Sequence, residues 1–107
     1  MAVSEEDQIF NESIRDTVNH NSGESNSGEF NAKTIFIENG LNQAVTFQLQ
    51  GARNSVWVNK GSTFTVAANK NAHQSVDQFF PKYRLQAICD TSPTTGVLDV
   101  WMIKARG

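Results

Sequence analysis

From Phe30 onward the chain alternates apolar and polar residues with a period of two, and that period decides its fold class. Val45, Phe47 and Leu49 alternate with Thr46, Gln48 and Gln50. Phe64, Val66 and Ala68 do the same, as do Tyr83, Leu85, Ala87 and Cys89. Successive side chains of a strand point to opposite faces, so such runs make half-buried strands and cannot lie quietly on a helix. Shorter runs at Thr34–Glu38 and Val56–Val58 are rich in β-branched and aromatic residues. Turn chemistry separates them at Gly51–Asn54, Asn59–Gly61, Ala68–Asn71 and Thr91–Gly96. Asn39-Gly40 predicts a two-residue hairpin of the kind that needs positive φ at both positions. Phe79-Phe80-Pro81 predicts a corner between sheets, because proline cannot donate to a central ladder. The expected architecture is all-β, a small antiparallel β-sandwich or jelly roll of roughly seven or eight strands with a flexible N-terminal arm.

The final run is apolar on both parities. Leu98, Val100 and Met102 occupy one face, and Val97, Trp101 and Ile103 the other. One face belongs in the core, and the second makes Val97, Trp101 and Ile103 a candidate subunit interface.

Residues 1–30 differ from the rest. They hold seven acids against Arg15 alone, a net charge of −6, while residues 31–107 hold eight bases and four acids, a net charge of +4. The acidic arm either folds back on its own body or finds the body of a neighbour. Ile9, Phe10, Ile14 and Val18 are its apolar anchors; Phe10, Ile14 and Val18 share a face in either a helix or a strand. Ser4-Glu5-Glu6-Asp7 resembles a helix-capping box, but Asn11, Ser13, Asp16 and Thr17 are poor helix formers. The reading adopted is an arm that orders on docking, with part of residues 9–18 as a strand. Between arm and body, Asn19–Glu29 has no apolar side chain and is expected to be a flexible linker, with an r.m.s. span of ~17–20 Å. The chain thus divides into a connector arm at 1–18, a polar linker at 19–29 and a β-body at 30–107.

Little in the sequence points to catalysis. The two histidines, His20 and His73, stand apart, and pairing His73 with Asp77 would need a helix that the region does not advertise. Cys89 lies on an apolar parity, as a small core residue does, and one cysteine excludes an internal disulfide or a cysteine metal cluster. No phosphate-binding glycine loop is present. Lys82, Tyr83 and Arg84 interleave an aromatic with cations, but a pI near 5.6 argues against nucleic acid. Trp57, Trp101, Phe79 and Phe80 could line a carbohydrate groove, although a body this small needs aromatics inside. No stretch is long and apolar enough for a membrane helix, and the N-terminus lacks the pattern of a secretory signal.

Val58-Asn59-Lys60-Gly61-Ser62, followed by Phe64-Thr65-Val66 and preceded by a short N-terminal connector, resembles the endospore appendage (Ena) subunits of Bacillus-group bacteria. That resemblance implies a jelly-roll subunit, made without a signal peptide, that polymerises on the spore surface by docking its connector onto neighbours. The best-known connectors carry cysteines and this arm carries none, so the resemblance implies a branch without disulfides. Tyr83-Arg84-Leu85-Gln86-Ala87, Ser92-Pro93-Thr94-Thr95-Gly96 and Val97–Ile103 also resemble small phage virion decoration or fibre-attachment proteins.

The expected function is therefore structural: a non-enzymatic subunit of an extracellular fibre that needs no cofactor or metal. It polymerises with copies of itself, with an anchor or tip protein as a further partner, and neither binds nucleic acid nor inserts in a membrane. The alternatives are a virion protein and a soluble β-sandwich binding module.

Overall fold

A computed structural model describes residues 3–26, 32–76 and 80–106. Ten strands are present and no helix among those residues: β1 (Val3–Glu12), β2 (His20–Asn21), β3 (Ser25–Asn26), β4 (Ala32–Asn39), β5 (Val45–Arg53), β6 (Val56–Asn59), β7 (Phe64–Val66), β8 (Lys70–Val76), β9 (Lys82–Ile88) and β10 (Leu98–Arg106). They form two antiparallel sheets. Sheet A has the order β1-β10-β4-β8, and sheet B runs β2-β9-β5-β6, with β3 also on β9 and β7 also on β5. The molecule is the β-sandwich that the alternation predicts.

Parity works as read. Val45, Phe47 and Leu49 of β5, and Tyr83, Leu85 and Ala87 of β9, are buried, as are Ile35 and Ile37 of β4 and Leu98, Val100 and Met102 of β10. Facing one another across the sheets, they make one continuous core, with the Phe47 and Phe64 rings stacked at 5.5 Å. The corner at Phe80-Pro81 does carry the chain from β8 in sheet A to β9 in sheet B; Phe79 and Asp77 lie outside the described residues.

Asn39-Gly40 is not a hairpin. Gly40 has no positive φ, and the chain there leaves β4 in sheet A for β5 in sheet B. Asn39 is buried and directs the crossing: its Nδ2 donates to the carbonyls of Gln43, Val66 and Ala67, and its Oδ1 accepts from the Leu41 N–H. The tight hairpin with two positive-φ residues is instead at Asn54 (52°) and Ser55 (65°), between β5 and β6. Gly51, read as part of a turn, sits inside β5 with the Phe80 ring packed where its side chain would be.

Of the two fates open to the acidic arm, the structure shows the first. β1 pairs antiparallel with β10 of the same chain, from Val3 opposite Arg106 to Glu12 opposite Leu98. The register shifts between Gln8 and Phe10, which makes Ile9 an extra residue in a β-bulge. The bulge reverses parity, so Glu5 and Asp7 share the side of Lys104 and Met102 before it, at the rim of the core, and Phe10 points into the core after it. Ile9, Phe10 and Ile14 all lie in the chain's own core, whereas Val18 is 58% exposed. Residues 20–26 of the expected linker run along β9: the Ser22 N–H donates to the Leu85 carbonyl, and the Leu85 N–H donates to Ser22 Oγ. Backbone pairing needs no apolar side chain, so hydropathy could not reveal it. Residues 27–29 lie outside the described residues.

Candidate interaction surface

The second apolar face of β10 lies on the outside of sheet A. Trp101 stands opposite Phe36 on one side and Gln8 on the other, and Phe36 in turn stands opposite His73. One row along, Ile103 stands between Glu6 and Thr34; on the other side, Asp99 stands between Asn11 and Glu38. Trp101, Phe36 and Ile103 are half-buried, and Glu6, Glu38 and His73 are exposed. Glu6, Phe36, Glu38, Trp101 and Ile103 line a shallow concavity of about 260 Å³. Gln8 donates to Asp99 at 2.7 Å, while Glu6 and Glu38 have no cation partner among the described residues. Val97, the third candidate, is exposed just before β10, beside Gly40 rather than within this patch.

The outer face of sheet B is mostly polar, with Arg84 and Lys82 as its cations and Ile88 exposed near its other end. Arg84 lies over the Trp57 ring at 4.2 Å and donates from Nε to Gln50 Oε1. Lys82 pairs with Glu24 at 3.3 Å. Neither Trp57 nor Trp101 is a core residue, so the sandwich keeps both indoles for its two outer faces.

The arm's acids meet the body's bases within the chain. Lys104 is buried, with its ammonium 2.8 Å from Asp7 Oδ2, 3.7 Å from Glu5 Oε2 and donating to the Asn26 carbonyl at 2.7 Å. Burial works against the Asp7 charge, but hydrogen bonds from Lys104 and Ser25, together with the Lys104 charge, outweigh it and hold the carboxyl below its ordinary range. Lys33, opposite Lys104 in β4, is also buried; its ammonium lies 5.6 Å from the centre of the Tyr83 ring, and burial lowers its pKa. His20 Nε2 lies 2.7 Å from Asp16 and Nδ1 lies 3.4 Å from Glu12. His73 is exposed on β8. Cys89 is buried, and burial first, then Asp16 and Asp90, raises its pKa. Among the described residues no group of three His, Cys, Asp or Glu is placed to hold a metal ion.

Parity alone places Trp101 and Ile103 on the face away from the core, where the structure has them. Sequence reasoning missed Phe36, which β4 places opposite Trp101; the alternation of Phe36 with Ile35 and Ile37 is the signal that could have found it.

No family model and no curated protein matches this chain. Among solved structures it is similar to PBSX exported protein XepA, with a TM-score of 0.73 at 13% identity, covering 95% of this chain and 37% of that one. It is also similar to PirA, with a TM-score of 0.51 at 17% identity, covering 96% of this chain and 93% of that one. Identities this low show a shared fold, and the chain spans little more than a third of the exported protein's length. Neither likeness is to a spore appendage.

Proposed function

We propose that the chain is a structural unit of an extracellular or virion-borne assembly, acting by contact rather than chemistry and associating with copies of itself through the outer face of sheet A. The observation that supports this is the cross-strand pair Trp101–Phe36 with Ile103, left on the outside of a sandwich whose core is already filled. A small protein that spends its bulkiest aromatics on an outer face has a use for that face. The fold's likeness to a protein described as exported fits this setting. A spore-surface fibre and a virion are both settings in which such a unit serves.

The arm-docking mechanism takes a definite form here. Because β1 fills its own slot beside β10, a polymer linked by arms requires copies to exchange β1. Segment 13–19, which crosses from sheet A to sheet B, is the hinge for that exchange. The supporting observation is that β1 is an edge strand, so a second copy's arm could make every contact it makes.

Negative-stain microscopy with sedimentation velocity tests the function. Folded monomer, prepared dilute and then concentrated, assembles if the outer face is the contact. Assembly only after unfolding and refolding at high concentration indicates strand exchange. A chain that stays monomeric after both treatments overturns self-association.

A further inference from the structure

We propose that the partner of the sheet A outer face is the sheet B outer face of a second copy, so that copies stack head to tail in an open row. The inference rests on the self-association reading and adds its mate and its polarity.

The two faces are chemically complementary. On sheet A, the exposed carboxylates Glu6 and Glu38 bracket Trp101, Phe36 and Ile103 and have no cation partner among the described residues. On sheet B, Arg84 lies over the Trp57 ring, with its Nε bonded to Gln50, and has no carboxylate partner among the described residues. A guanidinium fixed on one aromatic face still offers donors to a carboxylate and its free face to another ring. Its planar fork suits a glutamate, and its orientation is set before contact, so little rotamer freedom is lost on binding. Around Arg84, sheet B presents the hydrogen-bonding side chains Gln48, Gln86, Asn59 and Thr46, with Ile88 exposed opposite Thr46 as the apolar contact for the ring patch of sheet A.

Polarity follows from placement. The two faces lie on opposite sides of the sandwich, so a contact between them uses different surfaces on each partner and leaves one face free at each end. Such a contact propagates as a row, or closes only as a ring, and does not stop at a dimer. Sheets pack about 10 Å apart, so two layers per copy set a repeat of about 20 Å along the stack. The least extent of the molecule, 19 Å, is consistent with that spacing.

The test uses the full chain in three forms: wild type, a sheet A variant (Phe36→Thr with Trp101→Thr) and a sheet B variant (Arg84→Glu). Circular dichroism and melting first confirm that each variant is folded; threonine keeps β propensity at the outward positions. Wild type should form assemblies larger than a dimer. Arg84→Glu should weaken association at least about thirtyfold. Each variant alone should remain monomeric. Mixed at equal concentration, they should form a dimer and nothing larger, because only one productive contact is left. If Arg84→Glu assembles like wild type, the head-to-tail mate is overturned and self-association stands. A wild-type chain that stops at a dimer, with the sheet A variant monomeric, indicates sheet A pairing with itself and also overturns the mate. Wild type monomeric at every concentration overturns both.

Discussion

Lys104 Nζ lies 2.8 Å from the carboxylate of Asp7, and this contact joins the last strand to the first at the polar end of the core. Ser25 of β3 donates to the same Asp7 oxygen at 2.8 Å, and Lys104 also donates to the Asn26 carbonyl. Sheet A and sheet B are thereby tied at the point where the apolar interior ends. Two of the acids that make the arm electrostatically distinct, Glu5 and Asp7, are counter-charges of a buried lysine in the same chain.

That arrangement makes stability depend on pH with a definite sign. Asp7 titrates below its ordinary value of 3.8 in the folded chain, so its contribution is fully present above the unfolded value and is lost as pH falls through the lower folded one. Asp7→Asn should therefore flatten the acid limb of a pH–stability curve below about pH 4, with little change in its shape at neutral pH. Asp7→Ala removes a charged hydrogen-bond acceptor from a buried ammonium and should cost about 1–3 kcal/mol at pH 7. Urea melts across pH 2–7 check both.

The arm is expected to behave as core. Phe10→Ala should cost about 3–5 kcal/mol and Ile14→Ala about 2–5 kcal/mol, because each deletes a buried side chain, Phe10 on β1 and Ile14 in the segment that follows it. Val18→Asp, at an exposed position, should stay within about 0.5 kcal/mol of wild type. Deleting residues 1–18 removes Ile9, Phe10 and Ile14 together, along with the cover of one edge of β10. Chemical denaturation of each variant should therefore show loss of the cooperative transition in the truncated chain, not a stable β-body.

How far the sequence revealed this depends on which force holds each segment. Where burial holds it, alternation was legible: Val45, Phe47 and Leu49 of β5 and Tyr83, Leu85 and Ala87 of β9 follow the period of two, and both faces of β10 were visible in Val97–Ile103. Strand β8 was not legible, because Lys70–Val76 sends only Ala72 and Val76 toward the core and is otherwise polar. Its seven residues are held by backbone pairing with β4. The bulge at Ile9 was equally hidden, since it breaks the periodicity that a pattern search relies on. Asn39 imitated a hairpin because Asn-Gly has the right local chemistry, but its side chain is spent on a crossing between sheets. Only half of the outer-face site was legible, since cross-strand neighbours such as Phe36 and Trp101 are fixed by register, which composition does not encode.

Among the described glycines, Gly96 combines a positive φ with a close approach of main chain. Its φ is +93°, and a side chain there would run into the Gly40 carbonyl. Gly40 itself donates to the Val97 carbonyl at 3.0 Å, so the two segments have no room to separate. Gly96→Ala combines backbone strain with a clash against main chain and should cost more than about 3 kcal/mol. Gly61 also has positive φ, +72°, but open space around it. Gly61→Ala should therefore cost only about 1–2 kcal/mol. Thermal melts of the two variants separate strain alone from strain plus clash.

Cys89 offers a readout of the sandwich without any substitution. Its thiol is buried against the core, and burial together with Asp16 and Asp90 raises its pKa, which lowers the thiolate fraction at any pH below that value. The covering strands block the reagent as well. Native protein at pH 8 should therefore react with an aromatic disulfide reagent far more slowly than the same chain in urea. Because Asp16 sits in segment 13–19, where its carboxylate contacts His20, opening of that segment should expose the thiol locally before the chain unfolds. A native reaction rate that rises as Phe10→Ala and Ile14→Ala lower the global stability would instead tie exposure to global unfolding, and would show that the arm and the body melt as one unit.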